Sequence, residues 1–126
     1  MEDTSVKPTI DVPAGDPPAD LVIEDLVVGD GAEAQAGATV NVDYVGVSWS
    51  TGAEFDASWN RNDVFSFPLG AGMVISGWDQ GVQGMKVGGR RRLTIPPHLG
   101  YGAQGAGGVI APNETLIFTV DLRGLG

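Results

Sequence analysis

Residues 74–95, VISGWDQGVQGMKVGGRRRLTI, join a helical pattern to a strand pattern. Trp78, Val82 and Met85 follow one another at spacings of four and three, which puts them on one apolar face of an α-helix. Residues 90–95 then change to the two-residue alternation that is typical of a β-strand. This change of period predicts a short helix whose apolar face packs against a sheet.

The residues at the two ends of this helical pattern predict where the helix begins and ends. Ser76 is suited to the N-cap position, and Asp79 follows three residues later as the acidic member of a capping box. Gly88 and Gly89 are expected to end the helix. Because each glycine inside a helix costs up to about 1 kcal/mol relative to alanine, packing rather than intrinsic preference must hold this one.

Most of the chain from residue 21 onward has strand character. Residues 21–28 alternate poorly, which predicts a bulge or burial on both faces, and Pro68 favours an edge position for its strand. A lone helix among antiparallel strands must bury its face on the sheet, so the predicted class is α+β. Strands are predicted at residues 21–28, 40–44, 65–69, 90–95 and 116–122.

Composition divides the chain into an arm, residues 1–20, and a domain, residues 21–126. The arm contains four of the eight prolines, five acidic residues against one lysine, and no aromatic residue. With little apolar surface to bury, it is expected to be extended and largely flexible. A docking strand for a partner is the alternative interpretation of this segment.

The net charge excludes several classes of partner. Seven Lys and Arg against 16 Asp and Glu give 7 − 16 = −9, which argues against binding to nucleic acid or to an anionic membrane surface. No apolar run approaches the roughly 18 residues that span a bilayer. The chain has no cysteine and one histidine, so thiolate and multi-histidine metal sites are excluded and no cofactor is predicted. Without a targeting signal, a soluble, cytoplasmic monomer is expected.

Two further groups have simple interpretations. The triplet Arg90, Arg91 and Arg92 is divided between two faces by strand alternation, so a solvated or ion-paired strand is expected rather than a basic patch. His98 follows two prolines and has no titratable neighbour in the sequence, which indicates an exposed turn residue rather than a catalytic base.

Six stretches together resemble the FKBP family, the macrolide-binding immunophilins that act as peptidyl-prolyl cis-trans isomerases (rotamases). The resemblance covers residues 21–126, and the order and spacing of the stretches are specific even though no single one is decisive. It implies a half-barrel of antiparallel sheet wrapped around the short helix, with a shallow apolar pocket between them. The stretches are VDYVG at 42–46, GAEFDAS at 52–58, VISGW at 74–78, GVQGMKVG at 81–88, YGA at 101–103 and TLIF at 115–118.

The resemblance also implies roles for individual residues. Trp78 corresponds to the pocket floor on which a proline ring sits, Asp56 to a carboxylate near the ligand carbonyl, and Arg61 to the arginine that orients Asp56 and Tyr44. The Tyr101 hydroxyl and the Ile75 amide correspond to donors for ligand carbonyls. Ala106 and Trp59 depart from the usual family pattern. The implied catalytic residues are Phe55, Asp56, Trp78 and Tyr101; the implied substrate-binding residues are Tyr44, Arg61, Phe65, Val74, Ile75, Val109, Ile110 and Phe118.

A physical argument leads to the same chemistry. Rotation about a peptide bond faces a barrier of about 18–20 kcal/mol from amide resonance. The planar amide is more charge-separated than the twisted one, so an apolar pocket favours the twisted state without a nucleophile, metal or acid–base pair. The leading hypothesis is an isomerase that acts on proline-containing polypeptides, assists their folding and binds macrolide inhibitors. A binding module without turnover, and a domain whose aromatic residues only form a core, are the alternatives.

Overall fold

The computed structural model describes residues 3–126 and has α+β architecture. Its six strands are β1 (Val22–Val27), β2 (Thr39–Ser48), β3 (Glu54–Ala57), β4 (Phe65–Pro68), β5 (Arg90–Ile95) and β6 (Leu116–Leu125), and its helix is α1 (Ser76–Gly81). Short 3-10 turns lie at Ser58–Arg61, Pro97–Leu99 and Gly102–Gln104. The sequence patterns did not predict β3.

The strands form an antiparallel sheet in the order β1-β5-β6-β2-β3. The first half of β2 pairs with β4 and its second half pairs with β3, so these two short strands share one edge of β2. The sheet wraps around α1, which confirms the predicted half-barrel.

The two faces of the sheet bury different kinds of residues. On the inner face, alternate residues of β2, β5 and β6 form the main core with Trp78, Val82 and Met85 from the helical segment. On the outer face, Val45 and Ile117 belong to a second, smaller apolar cluster. The alternation predicted for these strands is therefore confirmed. The buried inner-face residues are Val40, Val42, Tyr44, Leu93, Ile95, Leu116, Phe118, Val120 and Leu122.

Local irregularities also follow the sequence. The register of β1 against β5 shifts between Asp25 and Val27, which is the predicted bulge.

Arg90 and Arg91 are buried, and each forms an ion pair: Arg90 Nε lies 2.6 Å from Asp121 Oδ1, and Arg91 Nε lies 2.7 Å from Asp25 Oδ1. These two arginines therefore belong to an ion-paired strand, as predicted.

The predicted ends of the helix were wrong. Ile75, not Ser76, is the N-cap residue, and no side chain caps the helix. The Asp79 carboxylate instead accepts hydrogen bonds from the backbone N–H groups of Gly70 and Gly72, at 2.9 and 3.0 Å. Regular helix ends at Gly81 rather than near Gly88 because the chain turns through a left-handed glycine, Gly84, at φ +89°.

Two glycines allow the helix to lie very close to β5. A Cβ atom on Gly77 would lie 2.6 Å from Ile95 Cγ2, and one on Gly81 would lie 2.7 Å from Leu93 Cδ2. Both distances are shorter than carbon atoms tolerate without repacking. The absence of side chains at these positions therefore sets the distance between the helix and the sheet.

The N-terminal segment contacts the outer face of the sheet. Ile10 is buried in the second apolar cluster, against residues that include Val45 and Ala57. The carbonyl oxygens of Thr4 and Val6 accept hydrogen bonds from arginines of β6 and β5. The sequence predicted little burial for this segment, but Pro8 and Ile10 are buried and Val12 packs against the same outer-face cluster as Ile10. Its flexibility stays a prediction.

Within residues 3–126, α1 and the 3-10 turns all fall short of the length and apolar content that a membrane-crossing helix requires.

We expect Gly77→Ala and Gly81→Ala to destabilise the fold, although alanine is the better helix former. Overpacking against Ile95 or Leu93 costs about 1–3 kcal/mol, which exceeds the helix-propensity gain of up to about 1 kcal/mol. Equilibrium urea unfolding measures the difference. Gln80→Ala, at an exposed position of the same helix, is the control and should change stability by less than about 0.5 kcal/mol. An increase in stability for either glycine variant would contradict this account of the helix position.

Candidate functional site

A pocket of about 270 Å³ opens between α1 and the inner face of the sheet. Strands β2, β3, β4 and β6, the segment before α1 and the turn after β5 all contribute to it. Its walls are mostly aromatic or aliphatic. The lining residues are Tyr44, Phe55, Asp56, Phe65, Met73, Val74, Ile75, Trp78, Tyr101 and Phe118.

Trp78 forms the floor of this pocket. It lies in the first turn of α1 and is 4% exposed. Its ring meets Tyr44 at a centroid distance of 4.9 Å and Phe118 at 5.2 Å, both in T-shaped geometry. Phe55 meets Phe118 in the same way at 5.5 Å. Edge-to-face contacts of this kind favour specific ring orientations, so the rings of the floor support one another.

The segment before α1 supplies another wall and a free donor. The Ile75 carbonyl accepts hydrogen bonds from the N–H groups of Trp78 and Asp79, at 2.9 and 3.2 Å. Asp79 in turn holds the backbone at residues 70–72, as described above. Within residues 3–126 the Ile75 N–H group donates to no protein acceptor, which leaves it available at the pocket wall.

Three polar side chains form a network on the opposite wall. The Tyr44 hydroxyl donates to Asp56 Oδ2 at 2.5 Å. Arg61 donates through Nη1 to Asp56 Oδ1 at 2.7 Å and through Nη2 to the Tyr44 hydroxyl at 2.8 Å. Each group is thus held by the other two, and Asp56 has a fixed position beside Trp78 and Phe118 in the lining.

The network also sets the protonation states of its members. Burial alone would raise the pKa of Asp56, but hydrogen bonds from Tyr44 and Arg61 outweigh it and lower that pKa below 3.8. Burial and the hydrogen bond to Asp56 raise the pKa of Tyr44 above 10.0. At neutral pH the pocket therefore contains one ionised carboxylate and a neutral phenol.

Tyr101 lies at the mouth of the pocket and is 41% exposed. Burial, and then the negative charge of Asp56, raise the pKa of its phenol above 10.0. Its hydroxyl has no hydrogen-bond partner within residues 3–126. Tyr101 and the Ile75 N–H group are thus two unoccupied donors at one pocket.

Nine of the twelve residues assigned to the site from the sequence line this pocket, and three lie elsewhere. Arg61 acts on the pocket through Asp56 and Tyr44. Ile110 is buried in the main core, whereas Val109 is 63% exposed, and both line a second cavity of about 410 Å³. The nine are Tyr44, Phe55, Asp56, Phe65, Val74, Ile75, Trp78, Tyr101 and Phe118.

Sequence reasoning missed Met73. This side chain lines the pocket and is 70% exposed. An isolated methionine in a glycine-rich loop has no periodicity or partner motif, so no sequence signal singled it out.

Within the described residues, no group of three or more His, Asp or Glu side chains is placed to hold a metal ion. The polar groups of the pocket are hydrogen-bond donors and one carboxylate. The arrangement can bind an apolar ring on Trp78 and hold carbonyl oxygens at its rim.

Comparison with known proteins gives consistent results. A family model for FKBP-type peptidyl-prolyl cis-trans isomerases matches residues 31–123. An FK506-binding protein of Streptomyces anulatus is 69% identical over 117 residues, which cover 92% of this chain and 94% of that protein. A probable FK506-binding protein of Corynebacterium glutamicum is 53% identical over 116 residues, which cover 92% and 96%.

Solved structures show the same relationship. The crystal structure of AtFKBP13 matches with a TM-score of 0.78 at 40% identity, covering 87% of this chain and 96% of that one. FkpA from Escherichia coli matches with a TM-score of 0.75 at 40% identity, covering 83% of this chain and 47% of that one. The extent of the family match and the identity to full-length relatives show that this chain belongs to the FKBP-type peptidyl-prolyl cis-trans isomerase family.

Proposed function

We propose that this isomerase accelerates rotation about X-Pro bonds in the pocket floored by Trp78, and that macrolides such as FK506 bind in the same pocket. The observation that carries the proposal is the combination of a closely packed aromatic floor with two unoccupied donors, the Ile75 N–H and the Tyr101 hydroxyl. A proline ring has the size and apolar character for the floor. The carbonyl oxygens on either side of the proline can accept hydrogen bonds from the two donors.

The aromatic lining supplies the first part of the rate acceleration. Amide resonance makes the planar peptide bond more polar than the twisted one, and a barrier of about 18–20 kcal/mol results. Transfer into a pocket of Trp, Phe and Tyr rings removes water from the planar form, which loses more solvation than the twisted form. Each 1.36 kcal/mol of this difference gives a tenfold increase in rate.

Asp56 supplies the second part. Its carboxylate is ionised and held in place by Tyr44 and Arg61. Rotation changes the charge distribution of the bound amide, and a fixed charge beside it acts without reorganisation during the reaction. Asp56 therefore biases the electrostatics at the twisted carbonyl and transfers no proton.

The relatives support the macrolide part of the proposal. Two of them, from Streptomyces anulatus and Neisseria meningitidis, are named FK506-binding proteins. Assistance to the folding of proline-containing polypeptides follows from the activity and is part of the proposal. Cytoplasmic localisation stays a prediction from the sequence.

Equilibrium NMR exchange between the cis and trans forms of a short X-Pro peptide tests the proposal. Uncatalysed exchange takes tens to hundreds of seconds, so acceleration is readily detected. We expect acceleration that FK506 abolishes. Trp78→Phe should weaken both turnover and FK506 binding, whereas Gln80→Ala, at an exposed position of α1 outside the pocket lining, should leave both unchanged. Well-folded protein that gives no acceleration but still binds the peptide would indicate a binding module instead.

A pair of tyrosine variants should separate substrate contact from structural support. Tyr101→Phe removes a hydroxyl without a protein partner, so we expect kcat/KM to fall about threefold to tenfold with unchanged stability. Tyr44→Phe removes a hydroxyl that contacts both Asp56 and Arg61, so the free energy of unfolding should also fall by about 1–3 kcal/mol. Urea unfolding and peptide exchange give the two quantities. Equal stability losses in the two variants would contradict this division.

The pH profile should be flat. Asp56, with a pKa lowered from 3.8, stays ionised above about pH 5, and Tyr44 and Tyr101, with pKa values raised from 10.0, stay neutral below about pH 9. We therefore expect constant kcat/KM over this range, measured by the same exchange experiment. A change in kcat/KM of about tenfold or more within this range would contradict a mechanism without proton transfer.

A further inference from the structure

We propose that the N-terminal strap, residues 4–12, positions the segment that carries Asp56 and Arg61. Lys7 is the positioning residue through which the strap acts on that segment. This inference rests on the proposed function, because its effect is on turnover in the Trp78 pocket. No residue of the strap lines that pocket. The strap therefore acts through residues 54–61, which form β3 and the 3-10 turn after it.

Lys7 connects the two ends of this segment. Its Nζ lies 2.9 Å from Glu54 Oε1 and donates to Asn60 Oδ1 at 3.0 Å. Asn60 also donates to Glu54 Oε2 at 3.0 Å, which closes a ring of three side chains. Glu54 is two residues before Asp56, and Asn60 directly precedes Arg61. One lysine from a distant part of the chain thus holds both flanks of the polar network.

Ile10 fixes the strap against the sheet. It is 9% exposed and packs in the outer-face cluster with Val45, Val47, Ala57 and Ile117. Ala57 directly follows Asp56, so the strap and the pocket contact opposite sides of the same short strand. Burial of an isoleucine is a stronger anchor than an exposed ion pair, which leaves Lys7 with an orienting role.

A second route joins the strap to Tyr44. The Thr4 carbonyl accepts a hydrogen bond from Arg123 at 2.7 Å, and Arg123 Nε lies 2.9 Å from Asp43 Oδ2. The Ser58 hydroxyl donates to Asp43 at 2.7 Å and accepts from the Tyr44 N–H at 2.8 Å. Ser58 is fully buried. The strap therefore reaches both Tyr44 and the Asp56–Arg61 pair through contacts on the outer face.

The lysine–glutamate pair is partly exposed, with 38% and 34% of the two side chains accessible. Such a pair contributes little to global stability. Small displacements of a catalytic group nevertheless reduce rates strongly. The two effects can therefore be separated by experiment, since a positioning role changes turnover more than it changes unfolding.

The test compares Lys7→Met with Lys7→Arg and Lys86→Met in the full-length chain. Lys86 is an exposed lysine outside the strap and the pocket, so its replacement is the charge-matched control. We measure kcat/KM per folded molecule by peptide exchange, urea unfolding, and amide hydrogen exchange at residues 54–61. Lys7→Met should lower kcat/KM about twofold to fivefold and speed amide exchange in that segment. Lys7→Arg should keep kcat/KM and amide exchange close to those of the unmodified protein, and Lys86→Met should change neither quantity.

Ile10→Ala provides an independent variant. Loss of the anchor should lower kcat/KM at least as much as Lys7→Met, at temperatures where the protein stays folded. A lower urea midpoint with unchanged kcat/KM and unchanged amide exchange in both variants would show a merely structural segment and overturn the inference. If the unmodified protein does not accelerate peptide exchange, the proposed function fails, and amide exchange at residues 54–61 still decides whether the strap orders that segment.

Discussion

The close contact between α1 and β5 is the constraint on which the pocket depends. Gly77 and Gly81 bring the helix within reach of Ile95 and Leu93, where a side chain at either of these two positions would collide. Trp78 lies between these glycines in sequence and is thereby fixed as the pocket floor. A helix further from the sheet would open space beneath the indole, and cavities in a core cost free energy in proportion to their volume. The depth of the pocket thus depends on having glycine at positions 77 and 81.

The two faces of the sheet have separate tasks. The inner face buries the apolar core and presents aromatic rings to the pocket. The outer face carries charged residues, including the buried pair Arg90–Asp121, whose burial raises the pKa of Asp121 although Arg90 opposes this. Buried pairs of this kind add little net stability but demand specific geometry. The outer face is therefore suited to fixing the orientation of the segments that pack on it, and the inner face is suited to forming the pocket.

Sequence periodicity predicted much of the fold because alternate residues of β2, β5 and β6 lie in the main core. The two-residue alternation in residues 116–122, for example, can be recognised without knowing which segments the strand contacts. β3 was missed because four residues are too few to show a two-residue alternation. The predicted C-terminal end of the helix was wrong because the sequence does not show that Gly84 adopts a left-handed conformation. The site residues came mainly from the family resemblance. The Tyr44–Asp56–Arg61 hydrogen bonds, the position of Met73 and the burial of Ile10 depend on contacts between distant segments, which a single sequence does not contain.

The two free donors differ in how they are attached to the fold, and this difference bears on the proposed mechanism. The Ile75 N–H belongs to a backbone segment fixed by the first turn of α1 and by Asp79. The Tyr101 hydroxyl belongs to a half-exposed side chain at the pocket mouth. A site that held both carbonyls rigidly would bind the planar forms as tightly as the twisted one and would gain no rate. In the proposed mechanism, one carbonyl bound by the Ile75 N–H and the other by the half-exposed Tyr101 would let the chain on one side of the proline rotate while the ring stays on Trp78.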